Sequence, residues 1–160
     1  MASRDLSRLI PEMQVKVSAM FVWLEANTGL KLGRDIIVTC TAREKAEQVA
    51  LYAQGRESLA QVNALRKAVY LPPIGEEQNK HCVTWTLDSR HIPETPGGQV
   101  TALDVAIIKN GAATWDIKAD VNHDHIPDYE EVAKAAELCG LESGARWKKP
   151  DYPHIQMPTP

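Results

Sequence analysis

One aspartate inside an otherwise apolar strand constrains this chain more than any other feature. Residues 99–108, QVTALDVAII, are rich in β-branched and apolar side chains and read as the clearest strand in the sequence. Side chains alternate across a strand, so Val100, Ala102, Asp104, Ala106 and Ile108 share one face. A carboxylate aimed from a strand into an enclosed space is costly unless it is paired or holds a metal. The alanines on either side leave room beside it. A solvated strand face would carry the same aspartate without penalty, so the residue alone leaves both readings open.

The remaining pattern mixes helices with short strands. Leu6, Leu9, Ile10, Met13, Val17, Met20, Phe21 and Leu24 follow helical spacing over 4–27, with Pro11 expected to split or kink the helix. DIIVTCTA (35–42) reads as a strand. Thr41 is expected to cap a helix that stops at Gly55, and residues 57–71 form a second helix ended by Pro72 and Pro73. HCVTWTLD (81–88) alternates as a strand does, residues 126–142 read as a helix with a stop at Gly140, and YPHIQM (152–157) as a short last strand. The expected class is α+β: one domain over 1–160, with a small antiparallel or mixed sheet and flanking helices.

Bulk properties exclude several functions. A net charge of −3 and a pI near 5.9 argue against a strong nucleic-acid binder. The three cysteines include no CxxC pair, so a thiolate zinc knuckle is not expected. Cys40 and Cys139 read as buried free thiols, which suits a reducing cytoplasm. The first residues, MASRDLSRLIPEMQ, lack the apolar core of a signal peptide, and no apolar run is long enough to insert in a membrane.

Two histidines give Asp104 company. His91 precedes the strand across a loop rich in Pro and Gly, which can fold back towards it. His154 follows Pro153 and lies between Ile155 and the extended Tyr152. Two histidines and a carboxylate form a standard catalytic zinc set with a fourth position for water. Asp151 would then be a nearby second carboxylate, placed to act as general base. No HExxH anchors this constellation.

The order of these motifs resembles the zinc D-Ala-D-Ala carboxypeptidase / L-Ala-D-Glu endopeptidase family of peptidoglycan enzymes, in particular its short phage-type endolysins. The resembling segments are TCTAREKAEQVALYAQGR (39–56), VTWTLDSRH (83–91), ALDVAI (102–107) and RWKKPDYPHIQM (146–157). The resemblance implies a Hedgehog/DD-peptidase-like fold, with 1–30 as an N-terminal helical segment and 35–157 as the catalytic core. It matches His91, Asp104 and His154 to ligands of one zinc, Asp151 to the catalytic base and Arg43 to a substrate or oxyanion contact. Gln48 and Ser89 match supporting, substrate-side positions, and Trp147 is expected to line the cleft. Two departures stand out. The loop between His91 and Asp104 is longer than is common in the family, and LESGARW lacks the usual Trp-Gly-Gly, with Ser143 where the tryptophan is expected.

The function implied is hydrolysis of the L-Ala–D-Glu bond of the peptidoglycan stem peptide by a monomeric, cytoplasmically made lysin that reaches the host wall through a separate pore. A D-Ala-D-Ala carboxypeptidase on the same machinery is the alternative within the enzyme class. A non-catalytic peptidoglycan-binding domain is the alternative outside it.

A second acidic cluster stands apart from these motifs. DVNHDHIPDYEE (120–131) sets Asp120, Asn122, Asp124, Asp128 and Glu131 at positions 1, 3, 5, 9 and 12 of an EF-hand-like calcium loop, with His125 where glycine is usual. The same residues fit a solvated loop capping the helix that begins near Pro127. A zinc site through His123 and His125 is a third reading. Trp23, Trp85 and Trp115 are expected to be core or half-buried packing residues.

Overall fold

The computed structural model describes residues 2–160. Pro11 starts a helix where it was expected to interrupt one. A short 3-10 turn, Leu6–Arg8, precedes it, and helix α1 runs Pro11–Thr28 with the proline in its first turn. There the missing N–H costs nothing and the fixed φ suits the helix. Gly29, at φ 77°, ends it in the left-handed conformation that spares glycine a steric penalty. Met13, Val17, Met20, Phe21 and Leu24 form its buried stripe.

Strand β1 (Ile36–Cys40) leads to helices α2 (Lys45–Ala53) and α3 (Leu59–Ala68). Thr41 does not cap α2; its hydroxyl donates to the Ser3 and Asp5 carbonyls, and Glu44 holds the cap position. After a long irregular segment come β2 (Ala102–Lys109), β3 (Ala112–Thr114), α4 (Asp128–Leu138), β4 (Glu142–Ser143) and β5 (His154–Gln156). The sheet runs β1-β2-β5-β4, with β3 on the far end of β2, and each of the four strand pairs is antiparallel.

Strand alternation divides β2 into two chemistries. Leu103, Val105 and Ile107 join the hydrophobic cluster with the α1 stripe and with Val132, Ala135 and Ala136 of α4. Ala102, Asp104 and Ala106 point the other way. Register then does the positioning: Asp104 pairs with His154 of β5 on one side and with Cys40 of β1 on the other. Residues directly opposite each other share a face, so the three side chains gather on the side away from the helical core.

Residues 81–88 are not a strand. The alternation is real, yet Val83, Trp85 and Leu87 are exposed and no strand pairs with the segment. Side chains hold it instead: Gln48 donates to the Thr84 hydroxyl and the Thr86 carbonyl, and Lys45 donates to the Leu87 carbonyl. β3 and β4 were not expected; at three and two residues they are too short for periodicity to register. Among the described residues no helix is long and apolar enough to cross a membrane.

The α1 stripe is integral to the core, and Leu24 is fully buried in it. Leu24→Ala should destabilise the protein by about 2–5 kcal/mol, read as a lower urea midpoint at unchanged slope. A change below about 0.5 kcal/mol, the range of surface substitutions, would show that α1 is not a structural part of the core.

Candidate functional site

The loop histidine reaches the strand through backbone contacts. The Arg43 N–H donates to the His91 carbonyl at 2.7 Å, so the loop lies along the segment leaving β1. The Ser89 hydroxyl accepts the His91 N–H at 3.2 Å, closing a tight turn before it. The His91 ring then donates from Nδ1 to the Thr41 carbonyl at 2.7 Å. A carbonyl can only accept, so the proton sits on Nδ1 and the Nε2 lone pair points away. That Nε2 is buried, has no hydrogen-bond partner and lies 3.2 Å from Asp104 Oδ1.

His154 meets the same oxygen from the other side. Its Nδ1 lies 3.2 Å from Asp104 Oδ1, and its Nε2–H donates to Gln156 Oε1 at 3.0 Å. The two rings meet edge to face with centroids 5.2 Å apart. Two nitrogen lone pairs thus converge on one carboxylate oxygen. Such a set is repulsive until a proton or cation joins it. Ligand atoms about 2.1 Å from a tetrahedral zinc lie about 3.4 Å apart, and each histidine nitrogen stands at close to that distance from the Asp104 oxygen. Thr41 and Gln156, each fixing the outer nitrogen of a histidine, are the partners that metal-binding histidines require. His91, Asp104 and His154 therefore fit a zinc ion.

Electrostatics agree. Burial disfavours a charged imidazole at His91, but Asp104 outweighs this and raises its pKa to about 10. Burial also opposes ionisation of Asp104, yet both histidines hold its carboxyl well below the usual carboxylate range. The pocket is built around an obligatory anion that attracts positive charge.

Cys40 is an addition to the expected set. Its thiol gathers with His91 and Asp104 within ligand range, so the residue read as an inert buried thiol lies at the site. The thiol sits 3.6 Å from His91 Nδ1, the nitrogen that Thr41 already occupies. His154 is the alternative third donor, its Nδ1 facing the Asp104 oxygen that His91 also faces. Pairing of Cys40 with Asp104 in the sheet is the structural signal, and no motif carried it.

Asp151 lines the same cleft, a space of about 520 Å³ that also takes in Arg43, Ser89 and Trp147. Desolvation first, then the charge of Asp104, raises the Asp151 pKa, while His154 and His91 oppose the shift. Its backbone is locked: Asp151 N–H donates to the Gly144 carbonyl, and its carbonyl accepts from His154 N–H. A Cβ at Gly144 would collide with the Asp151 carbonyl oxygen and lie 3.2 Å from its Cβ. Ser143 is buried, and its hydroxyl accepts the Ala145 N–H, closing the turn that sets this approach.

Arg43 is anchored through Gln48, whose Oε1 accepts from its guanidinium at 2.9 Å. Gln48 was expected on the substrate side, but it is fully buried and spends its amide on Thr84 and Thr86. It positions the arginine and the 84–86 segment. Trp147 stacks obliquely near His154 with centroids 5.0 Å apart, its indole N–H donating to Glu142. Trp85 and Trp115, expected as packing residues, are 67% and 58% exposed and border the cleft.

The acidic segment folds on the other side of α4's start. Asp128 is fully buried as the first residue of α4, and burial above all pushes its pKa up to about 6. Burial likewise pushes Glu131 up to about 7, with Asn122 opposing and Asp124 adding to the rise. His123 and His125 are exposed.

Residues 98–157 match a family model described as D-alanyl-D-alanine carboxypeptidase. The span holds Asp104, Asp151 and His154 and stops short of Arg43 and His91. No curated protein matches the chain in sequence. Among solved structures the chain is similar to the L-Ala D-Glu endopeptidase ChiX of Serratia marcescens. The TM-score is 0.53 at 20% identity, over 99% of this chain and 89% of that one. At that identity the likeness speaks for the fold, and the fold it supports is the expected α+β peptidase type with an antiparallel sheet. Both comparisons point towards the family that the ordered motifs resemble, the first over 98–157 alone and the second in fold.

Proposed function

We propose that the protein is a zinc-dependent peptidase that hydrolyses the L-Ala–D-Glu bond of the peptidoglycan stem peptide, as a phage-type endolysin does. The observation that carries this reading is the convergence of His91 Nε2 and His154 Nδ1 on one Asp104 oxygen, with Asp151 in the same cleft. The endopeptidase choice is supported by the motif order and by the activity in the name of the similar Serratia protein. Synthesis in the cytoplasm, passage to the wall through a separate pore and action as a monomer belong to the same proposal and rest on the resemblance.

His91, Asp104 and His154 would hold the zinc. When bound, the ion would polarise the scissile carbonyl and lower the pKa of a water towards about 7. Asp151 would take the proton of the attacking water and hand it to the leaving amine. Its raised pKa suits that exchange, because a base works best when its pKa approaches the working pH. Arg43, held by Gln48, would place its charge against the carbonyl oxygen as negative charge develops, or against a substrate carboxylate. Trp147 would form a wall beside the scissile bond. The description of the matched family supports release of D-Ala as the second reading.

Digestion of purified sacculi should release peptides with new L-Ala carboxyl and D-Glu amino ends, lost with a chelator and restored by zinc. Mass spectrometry showing only free D-Ala would establish the carboxypeptidase reading instead. Binding to sacculi with no release from either bond, by protein shown to hold zinc, would point to a binding domain.

Asp151→Ala should slow hydrolysis by about 10²–10⁴-fold while zinc stoichiometry by atomic absorption stays unchanged. A variant that keeps most of its rate would remove Asp151 from the role of base. Gly144→Ala should lower the rate by pushing Asp151 and His154 apart, with the far-ultraviolet circular dichroism of the wild type. An unaltered rate would show that the Gly144–Asp151 approach does not position the site.

A further inference from the structure

Cys40 has no step in the proposed hydrolysis, yet it touches two of the residues that do. Its place comes from an irregularity in the sheet. Val38 pairs with Val105, while Cys40, two residues on, pairs with Asp104, the residue next to Val105. β1 therefore carries one extra residue at Thr39, and such a bulge re-aims the side chains around it. In an unbroken register Thr39 would stand opposite Asp104. The bulge puts a thiol there instead, only 4% exposed.

The sulfur has two polar neighbours. His91 Nδ1 lies 3.6 Å away, but its proton goes to the Thr41 carbonyl. Arg43 Nη2–H donates to the sulfur at 3.5 Å. On the other side of the guanidinium, Nη1–H donates to Gln48 Oε1 at 2.9 Å. Both terminal nitrogens are therefore held, while Nε is buried with no partner. Among the described residues no carboxylate forms an ion pair with Arg43. A carboxylate in either place would bind the fork more tightly, and it would also cancel the charge. Sulfur is a weak acceptor. It fixes the direction of the guanidinium and leaves its charge unspent.

We propose that Cys40 is a positioning residue of the peptidase: its sulfur and the Gln48 amide clamp the Arg43 guanidinium from two sides, so that an unpaired positive charge faces the stem peptide. This rests on the reading of Arg43 as a contact to the substrate carboxylate or the developing oxyanion. Cys40 acts through Arg43 and touches neither substrate nor reacting atoms. Its sulfur also lies within ligand range of His91 and Asp104, but it stands beside Nδ1, the nitrogen turned away from Asp104. A clamp on Arg43 and a ligand of the metal predict different results.

The test is a set of kinetic measurements on a soluble stem peptide with the zinc-loaded full chain. The proteins are the wild type, Cys40→Ala, Cys40→Ser, Arg43→Ala and the double variant C40A/R43A. Cys40→Ala should lower kcat/KM by about tenfold, the lower end for a hydrogen bond to a charged group. The loss should fall on whichever of kcat or KM Arg43→Ala changes. Cys40→Ser, which keeps an acceptor, should recover part of it. With Arg43 already replaced, Cys40→Ala should change nothing further, because residues that act as one unit do not add. Zinc stoichiometry should match the wild type throughout. Cobalt-substituted wild type should show no thiolate-to-metal charge-transfer band in the near ultraviolet. A wild-type rate in Cys40→Ala would overturn the proposal, as would full additivity in the double variant. A cobalt–thiolate band that disappears in Cys40→Ala would also overturn it and make Cys40 a metal ligand. A wild type that cleaves neither bond would be a different failure, removing the peptidase reading and this clamp with it.

Discussion

The carboxylate of Asp104 is the interaction on which the site depends, and through the site much of the surrounding architecture. It stands in the strand with neighbours on both sides, facing away from the helical layer. Pairing with β5 brings His154 to it, pairing with β1 brings Cys40, and the turn at Ser89 brings His91. Removing one partner from a buried ionic group costs about 3–5 kcal/mol, so these residues hold one another in place. Each histidine also has its outer nitrogen fixed, by the Thr41 carbonyl and by Gln156. Both partners come from strand ends or the residues just past them, where positions are set by the sheet.

The opposite face of the same strand offsets the cost of such a polar pocket. Leu103, Val105 and Ile107 are fully buried against α1 and α4. The alanines of α4 let that helix lie close, and α1 adds a five-residue apolar stripe. A sheet with one dry face and one reactive face explains why Asp104 can alternate with large apolar residues in a continuous run. It also explains the role of the N-terminal helix. Set apart in sequence from Asp104, it forms half of the helical layer packed behind the strand that carries that residue.

Much of this was legible in the chain. Strand β2, the four helices and the grouping of His91, Asp104, Asp151 and His154 follow from periodicity and ordered motifs. Residues 81–88 misled because alternation reports two different faces without saying what covers either of them. Here Thr84 and Thr86 face Gln48, and the apolar side faces a cleft and solvent. Trp85 was misplaced for the same reason; Trp115, expected as a packing residue from its type, lies exposed just past β3. Gln48 matched a motif position on the substrate side, yet it is fully buried and its amide holds Arg43 from behind. Gly144 carried no reading in the sequence, and the structure sets it directly against Asp151.

The amino-acid sequence by itself determined which residues can carry the chemistry, which segments are helical, and that one aspartate must sit on the minority face of a strand. These are local properties: residue type, spacing and turn formers. Only the tertiary structure decided which atom of each residue faces which. The tautomer of His91 depends on the Thr41 carbonyl, 50 residues away along the chain. The approach of His154 depends on antiparallel register with β2, and the burial of Asp128 depends on what packs around α4. Register and burial arise from contacts between distant segments, and no local pattern encodes them.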